Sequence, residues 1–161
     1  MRDVLRLHHE QHAADTCVAA CICMVQLARG EPSDEAAFVG AHASIGLVLT
    51  LPATRRLPSY DTAEIRVALQ TDESVVAIVH GPPYVRWQEA AHPGLESRHG
   101  RLCSPGDFGG PLHCVLLVHC DASGFLLLDP YFPATGQPLA MTEDAFERCF
   151  AGQAVAARRG V

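Results

Sequence analysis

The sequence has no lysine, and all 12 of its basic residues are arginine. That bias points to coding composition more than to function. The formal net charge is −6 and the arginines are scattered. No basic stripe is available to track phosphates, which argues against nucleic acid as a partner. The opening, Met1 to His12, lacks an apolar run behind its charges, so no signal peptide is expected. No stretch reaches the ~20 apolar residues that span a bilayer. The longest, Ala41 to Leu51, is short and is interrupted by His42, Ser44 and Gly46. These absences together predict a cytoplasmic protein with no membrane span.

Hydrophobic residues make up 48% and charged residues 19% of the chain, which reads as globular rather than disordered. The length of 161 residues suits one domain over 1–161, with a helical part over about 1–70 and a sheet part over about 74–161. Seven cysteines, an odd number without an export signal, are expected to be reduced thiols, most of them small core residues.

Asp15 reads as the N-cap of a helix from Thr16 to Arg29, stopped by Gly30. Arg29 is its only charge, so the helix should be buried almost all round. Ser33 to Glu35 should open a shorter helix reaching about His42, and Ile45 to Leu51 reads as strand or buried turn. Pro52 to Tyr60 reads as loop. Asp61 and Glu64 have capping-box spacing for a helix to about Leu69. Ser74 to Val79 reads as a central strand. Prolines and glycines interrupt every pattern from Gly81 to Leu112, which predicts a long loop bordering a functional cleft. His113 to Cys120, a turn at Asp121 to Gly124, and Phe125 to Leu128 form the clearest hairpin, closed by Asp129-Pro130. Thr142 caps a last helix to about Phe150, and Gln153 to Ala157 reads as an edge strand. Helices followed by a mostly antiparallel sheet define an α+β fold.

Cys17 stands apart from the other cysteines because it lies in the first turn of the buried helix. Unpaired N–H groups and the partial positive charge there favour an anion, and the thiolate is the nucleophilic form of cysteine. Cys21 lies on the same face beneath it, and Cys23 points away. A nucleophilic thiolate needs a base, and histidine suits that task. His113 starts a strand at the end of the long loop. His119 shares its parity and ranks lower because it lies deeper in the sheet. The hairpin returns Asp129 toward His113, where a carboxylate can orient the imidazole. Gln11, six residues before Cys17, can offer an amide N–H to an oxyanion beside the Cys17 backbone N–H.

Gln11, Cys17 at a helix start, His113-Cys-Val-Leu-Leu-Val, Asp129-Pro130 and a Phe146-containing helix ending near Gly152 resemble the papain-like cysteine peptidases. The closest resemblance is to the bacteriocin-processing peptidases that cut after double-glycine leaders. It spans Gln11 to Gly30 and His113 to Gly152. Thr16-Cys17-Val18 stands where that family usually has Asp-Cys-Gly. The resemblance implies Cys17 as nucleophile, His113 as base, Asp129 as orienting group, Gln11 as oxyanion donor, and a peptide or protein substrate.

Two other readings use the same residues. One is a catalytically silent peptide-binding module. The other is a cysteine acyltransferase of transglutaminase type. Zinc is weighed as well. Cys17, Cys21 and Cys23 share one helix rather than forming knuckles in loops, and His8-His9-Glu10-Gln11-His12 lacks the HExxH spacing. Neither a metal nor another cofactor is expected, and the histidine run reads as a solvated arm.

Overall fold

The computed structural model describes residues 4–39, 44–103 and 111–160. Six strands form one antiparallel sheet in the order β1-β6-β2-β3-β4-β5. They are β1 (Thr54–Arg56), β2 (Glu73–His80), β3 (Leu112–Asp121), β4 (Gly124–Leu128), β5 (Leu139–Met141) and β6 (Phe150–Arg158). Helix α1 (Cys17–Ala28) packs on one face. Helices α2 (Thr62–Gln70), α3 (Gly81–Ala91) and α4 (Glu143–Cys149) contribute to the core on the other. The architecture is α+β, as the order of elements implies.

Helix α1 begins one residue later than its sequence suggests. Thr16, not Asp15, is the N-cap, and Cys17 is the first helical residue. The Thr16 hydroxyl turns back to Ala13, donating to its carbonyl at 3.0 Å. At the other end Gly30 takes a φ of +67°. Its N–H reaches the Leu27 carbonyl while Glu31 N–H reaches Gln26, two bonds that satisfy orphan carbonyls of the last turn. Val18 through Val25 are all buried, in line with the near-absence of charge in the segment.

Several expectations need correcting. The second helix is a single 3-10 turn, Glu35–Ala37, capped by Asp34; residues 40–42 of that expected helix lie outside the described residues. Of the two readings for Ile45–Leu51, strand or buried turn, the structure has the turn: Ile45–Thr50 is 3-10, with Ile45 and Val48 buried. Thr54–Arg56, inside the expected loop, pairs with β6. The stretch from Gly81 is not loop throughout but starts with α3. Pro82 and Pro83 fall in the first helical turn, where no intrahelical N–H is needed, so they open the helix instead of breaking it. The strand around Gln153 to Ala157 is internal, between β1 and β2. Its small alanines, Ala154, Ala156 and Ala157, are fully buried.

Strand register sets the faces. Val115 and Leu117 face the three-helix side, whereas Cys114, Leu116 and Val118 face α1. His119 does not share the face of His113. A bulge between Leu117 and His119 shifts the register, and His119 pairs with Leu126, which packs on the α1 side. His119 is exposed. Among the described residues no helix is long and apolar enough to cross a membrane.

Leu116, fully buried against α1, should cost about 2–5 kcal/mol of stability when changed to Ala. Leu126→Ala, at a half-buried position on the same face, should cost clearly less. Urea unfolding of the two variants checks this order.

Candidate active site

The site assembles where β3 begins and β4 ends. Leu116 pairs with Leu128, so continuing that register sets Asp129 level with Val115 and on the same face as His113. The diagonal is short enough for contact. His113 Nε2 lies 2.7 Å from Asp129 Oδ1. Both side chains are buried, and His113 is only 1% exposed.

Cys17 comes from the opposite face. Cys21 packs with Cys114 in the core beneath the sheet. One helical turn earlier, about 6 Å along α1, Cys17 reaches the level at which β3 starts. The sheet no longer separates the two faces there, and the thiol comes near enough to the imidazole to help raise its pKa. Since Nε2 is committed to Asp129, Nδ1 is the nitrogen left for sulfur. The seven cysteines, all among the described residues, form no disulfide, and Cys17 alone is not buried. Burial pushes the thiols of Cys23 and Cys149 up to about 11 and holds Cys21 well above its ordinary value.

Burial is the largest influence on His113 and works against its charge. The Asp129 carboxylate and Cys17 outweigh it, and the imidazole's pKa stands well above the ordinary 6.5. Asp129 is held on all sides. Oδ1 also accepts from the Tyr131 backbone N–H at 2.8 Å, and Oδ2 accepts from the Tyr84 hydroxyl at 2.6 Å. Burial, and then the Asp129 charge, raise the Tyr84 pKa, which keeps the phenol an O–H donor. Gln137 clasps the Asp129 backbone, accepting from its N–H at 2.9 Å and donating to its carbonyl at 2.7 Å. Tyr84 and Tyr131 set their rings 5.6 and 5.9 Å from the imidazole.

Gln11 is buried beside this cluster. Its N–H donates to the Pro130 carbonyl at 2.8 Å, one residue from Asp129. Its own carbonyl is met by Arg98 Nη2 at 2.7 Å and His99 Nε2 at 2.9 Å. The side-chain nitrogen donates to the Ala13 carbonyl at 2.6 Å. That acceptor fixes which end of the amide faces it, since the amide oxygen there would oppose another oxygen. Oε1 is buried without a partner.

The structure thus brings Cys17, His113, Asp129 and Gln11 into one region. The histidine run is not a solvated arm. His8 Nε2 lies 3.2 Å from the Asp129 carbonyl, and His9 Nε2 lies 2.7 Å from Glu35. Beside the site, a cavity of about 390 Å³ is lined by Tyr84, Gln88, Leu95, Leu102 and Phe132 among others. Much of that lining comes from the stretch expected to border a cleft. Tyr84, Tyr131, Gln137 and Arg98 were not anticipated. Asp-Pro-Tyr did carry a signal for Tyr131, because Asp readily accepts from the N–H two residues on. Nothing local linked Tyr84 to Asp129.

Such a series of thiol, imidazole and carboxylate can move a proton from sulfur to nitrogen and hold it there. The fold has a solved counterpart. A crystal structure described as a "putative C39-like peptidase from Bacillus anthracis" superposes with a TM-score of 0.62 at 15% identity, covering 95% of this chain and 94% of that one. The chain therefore has the fold of the C39-like peptidases. No protein-family model and no curated protein matches the sequence.

The raised His113 pKa has a consequence for stability. The imidazolium's contribution is complete below the unfolded value near 6.5 and fades as pH rises through the higher folded value. An NMR titration of His113 should give a midpoint well above 6.5, moving down in Asp129→Asn. The gap in unfolding free energy between wild type and that variant should narrow at alkaline pH. A wild-type midpoint at or below 6.5 would contradict the ion-paired geometry.

Proposed function

We propose that the chain is a cysteine peptidase, or amide hydrolase, working through an acyl-enzyme. The observation that carries this reading is the buried His113–Asp129 pair, with Cys17, the one cysteine that is not buried, near enough to act on the imidazole. The Cys17 sulfur, its proton passed to His113, attacks a substrate carbonyl and forms the S–C bond. The second Gln11 amide hydrogen and the Cys17 backbone N–H stabilise the oxyanion. His113 returns the proton to the leaving amine as the C–N bond breaks. It then takes a proton from water, whose oxygen displaces sulfur. Asp129 holds the imidazole in orientation and balances its charge.

The likeness in fold to a C39-like peptidase supports a peptide substrate. The resemblance around Gln11, Cys17, His113 and Asp129-Pro130 supports leader peptides ending in small-residue pairs as the first substrates to test. Val18, in the place of the usual glycine, is 3% exposed and packs into the α1-side core. Its branched side chain leaves the approach to sulfur clear, which favours an enzyme over a silent binding module. Seven cysteines outside any disulfide fit a reducing compartment such as the cytoplasm.

Cys17→Ala should abolish peptide hydrolysis and labelling by a thiol-reactive amide-mimic probe, while Cys21→Ala leaves labelling in place. Loss of labelling in Cys21→Ala alone would mean that the nucleophile is misassigned. Gln11→Ala should lower kcat by ~10²–10³, the usual cost of one oxyanion donor. An added amine acceptor separates the hydrolase from an acyltransferase: hydrolysis should dominate the product even at high amine.

A further inference from the structure

Glu35 presents a problem of charge. Its side chain has no solvent exposure, and its oxygens face His9, His12 and the His12 backbone N–H. A buried carboxylate normally pairs with a cation or binds a metal. Among the described residues no arginine forms an ion pair with it, and the chain has no lysine. The side chains with basic nitrogens that face it are His9 and His12. His9 Nε2 lies 2.7 Å from Glu35 Oε2, and His12 Nδ1 lies 3.9 Å from the same oxygen. One ligand atom from each of the three residues falls within 4.8 Å of the others.

We propose that His9, His12 and Glu35 bind a divalent transition-metal ion of the zinc class. Two imidazoles and one carboxylate suit zinc, with bonds of ~2.0–2.2 Å. Ligand atoms around a tetrahedral ion then stand roughly 3.3 Å apart. The His9–Glu35 contact opens slightly as the ion replaces the shared proton, which leaves to solvent. The wider gaps close by rotation of His12, whose side chain is 69% exposed. That exposed side leaves room for water as a fourth ligand.

The carboxylate is already aimed. The His12 backbone N–H donates to Oε1 at 3.0 Å and to Oε2 at 3.3 Å. Outer contacts of this kind orient a metal ligand. The chemistry does not call on the thiol, so the site stands independently of the proposed peptidase. Gln11 lies between the two histidines. A bound ion would therefore pin the backbone on both sides of Gln11.

The test uses the full chain carrying Cys17→Ala, which removes the accessible thiol as a competing ligand. After zinc loading and gel filtration in the presence of excess Mg²⁺, metal analysis should give one zinc per chain. Adding His12→Ala, at an exposed position that leaves the core intact, should weaken zinc binding by more than the ~10–100-fold typical of losing an outer contact. Cobalt in place of zinc should show no sulfur-to-cobalt charge-transfer band. Failure of the Cys17→Ala chain to retain zinc, zinc binding unchanged by His12→Ala, or a sulfur–cobalt band would each overturn the assignment. None of these readouts depends on peptide hydrolysis.

Discussion

The buried carboxylate of Asp129 is the constraint around which the site is organised. An ionised group at that depth is tolerated only when its lone pairs are filled. Three donors fill them: an imidazole from the start of β3, a phenol from the first turn of α3, and the backbone N–H of Tyr131. Each fixes one element against the turn that follows β4. The imidazole's orientation is thus a by-product of satisfying the anion. This explains why His113 sits with so little freedom between two aromatic rings. The anion in turn needs a positive partner, which is why the imidazole holds its proton so firmly despite burial.

A second constraint is topological. Strand alternation sends His113 to one face of the sheet, while α1 packs on the other. A thiol in the middle of α1 could never meet that imidazole, and Cys21 accordingly packs with Cys114 instead. Only the first residue of the helix, level with the end of the sheet, can reach around it. Geometry thus sets one residue apart among the seven cysteines.

The legible parts of the fold were those governed by local chemistry. The hairpin from His113 to Leu128 followed from its apolar run and turn. The Asp61 and Thr142 caps followed from the hydrogen bonds those side chains make, and the Gly30 stop from backbone freedom. What stayed hidden depended on partners distant in sequence. Pro82-Pro83 looked like a break because nothing nearby showed that a helix would start on them. The Ala154–Ala157 segment looked marginal as a strand because alanine has weak β preference, yet its small side chains suit an internal position between β1 and β2. His119 was placed on the wrong face because a bulge leaves no simple sequence signature. Within the site, Gln11, Cys17, His113 and Asp129 stood out by type and order. The supporting contacts of Tyr84, Arg98 and Gln137 could not be read, because each joins segments that only the folded chain brings together.

The segment from His8 to Thr16 has no regular secondary structure beyond turns, so its position is set by side-chain and single backbone contacts. His8 touches the Asp129 carbonyl, Gln11 is gripped by Pro130, Arg98 and His99, and His9 and His12 meet Glu35. A strand in the sheet loses its register only when the sheet opens. This segment can lose one anchor at a time, and such sub-global openings cost less than global unfolding. Gln11 therefore rests on the least cooperative part of the site, and the imidazole and carboxylate rest on the most cooperative part. Loosening the segment would withdraw Gln11 while leaving the His113–Asp129 pair intact. Contacts with Glu35 and with the 97–99 turn thus bear on the readiness of the site, although none of them touches sulfur.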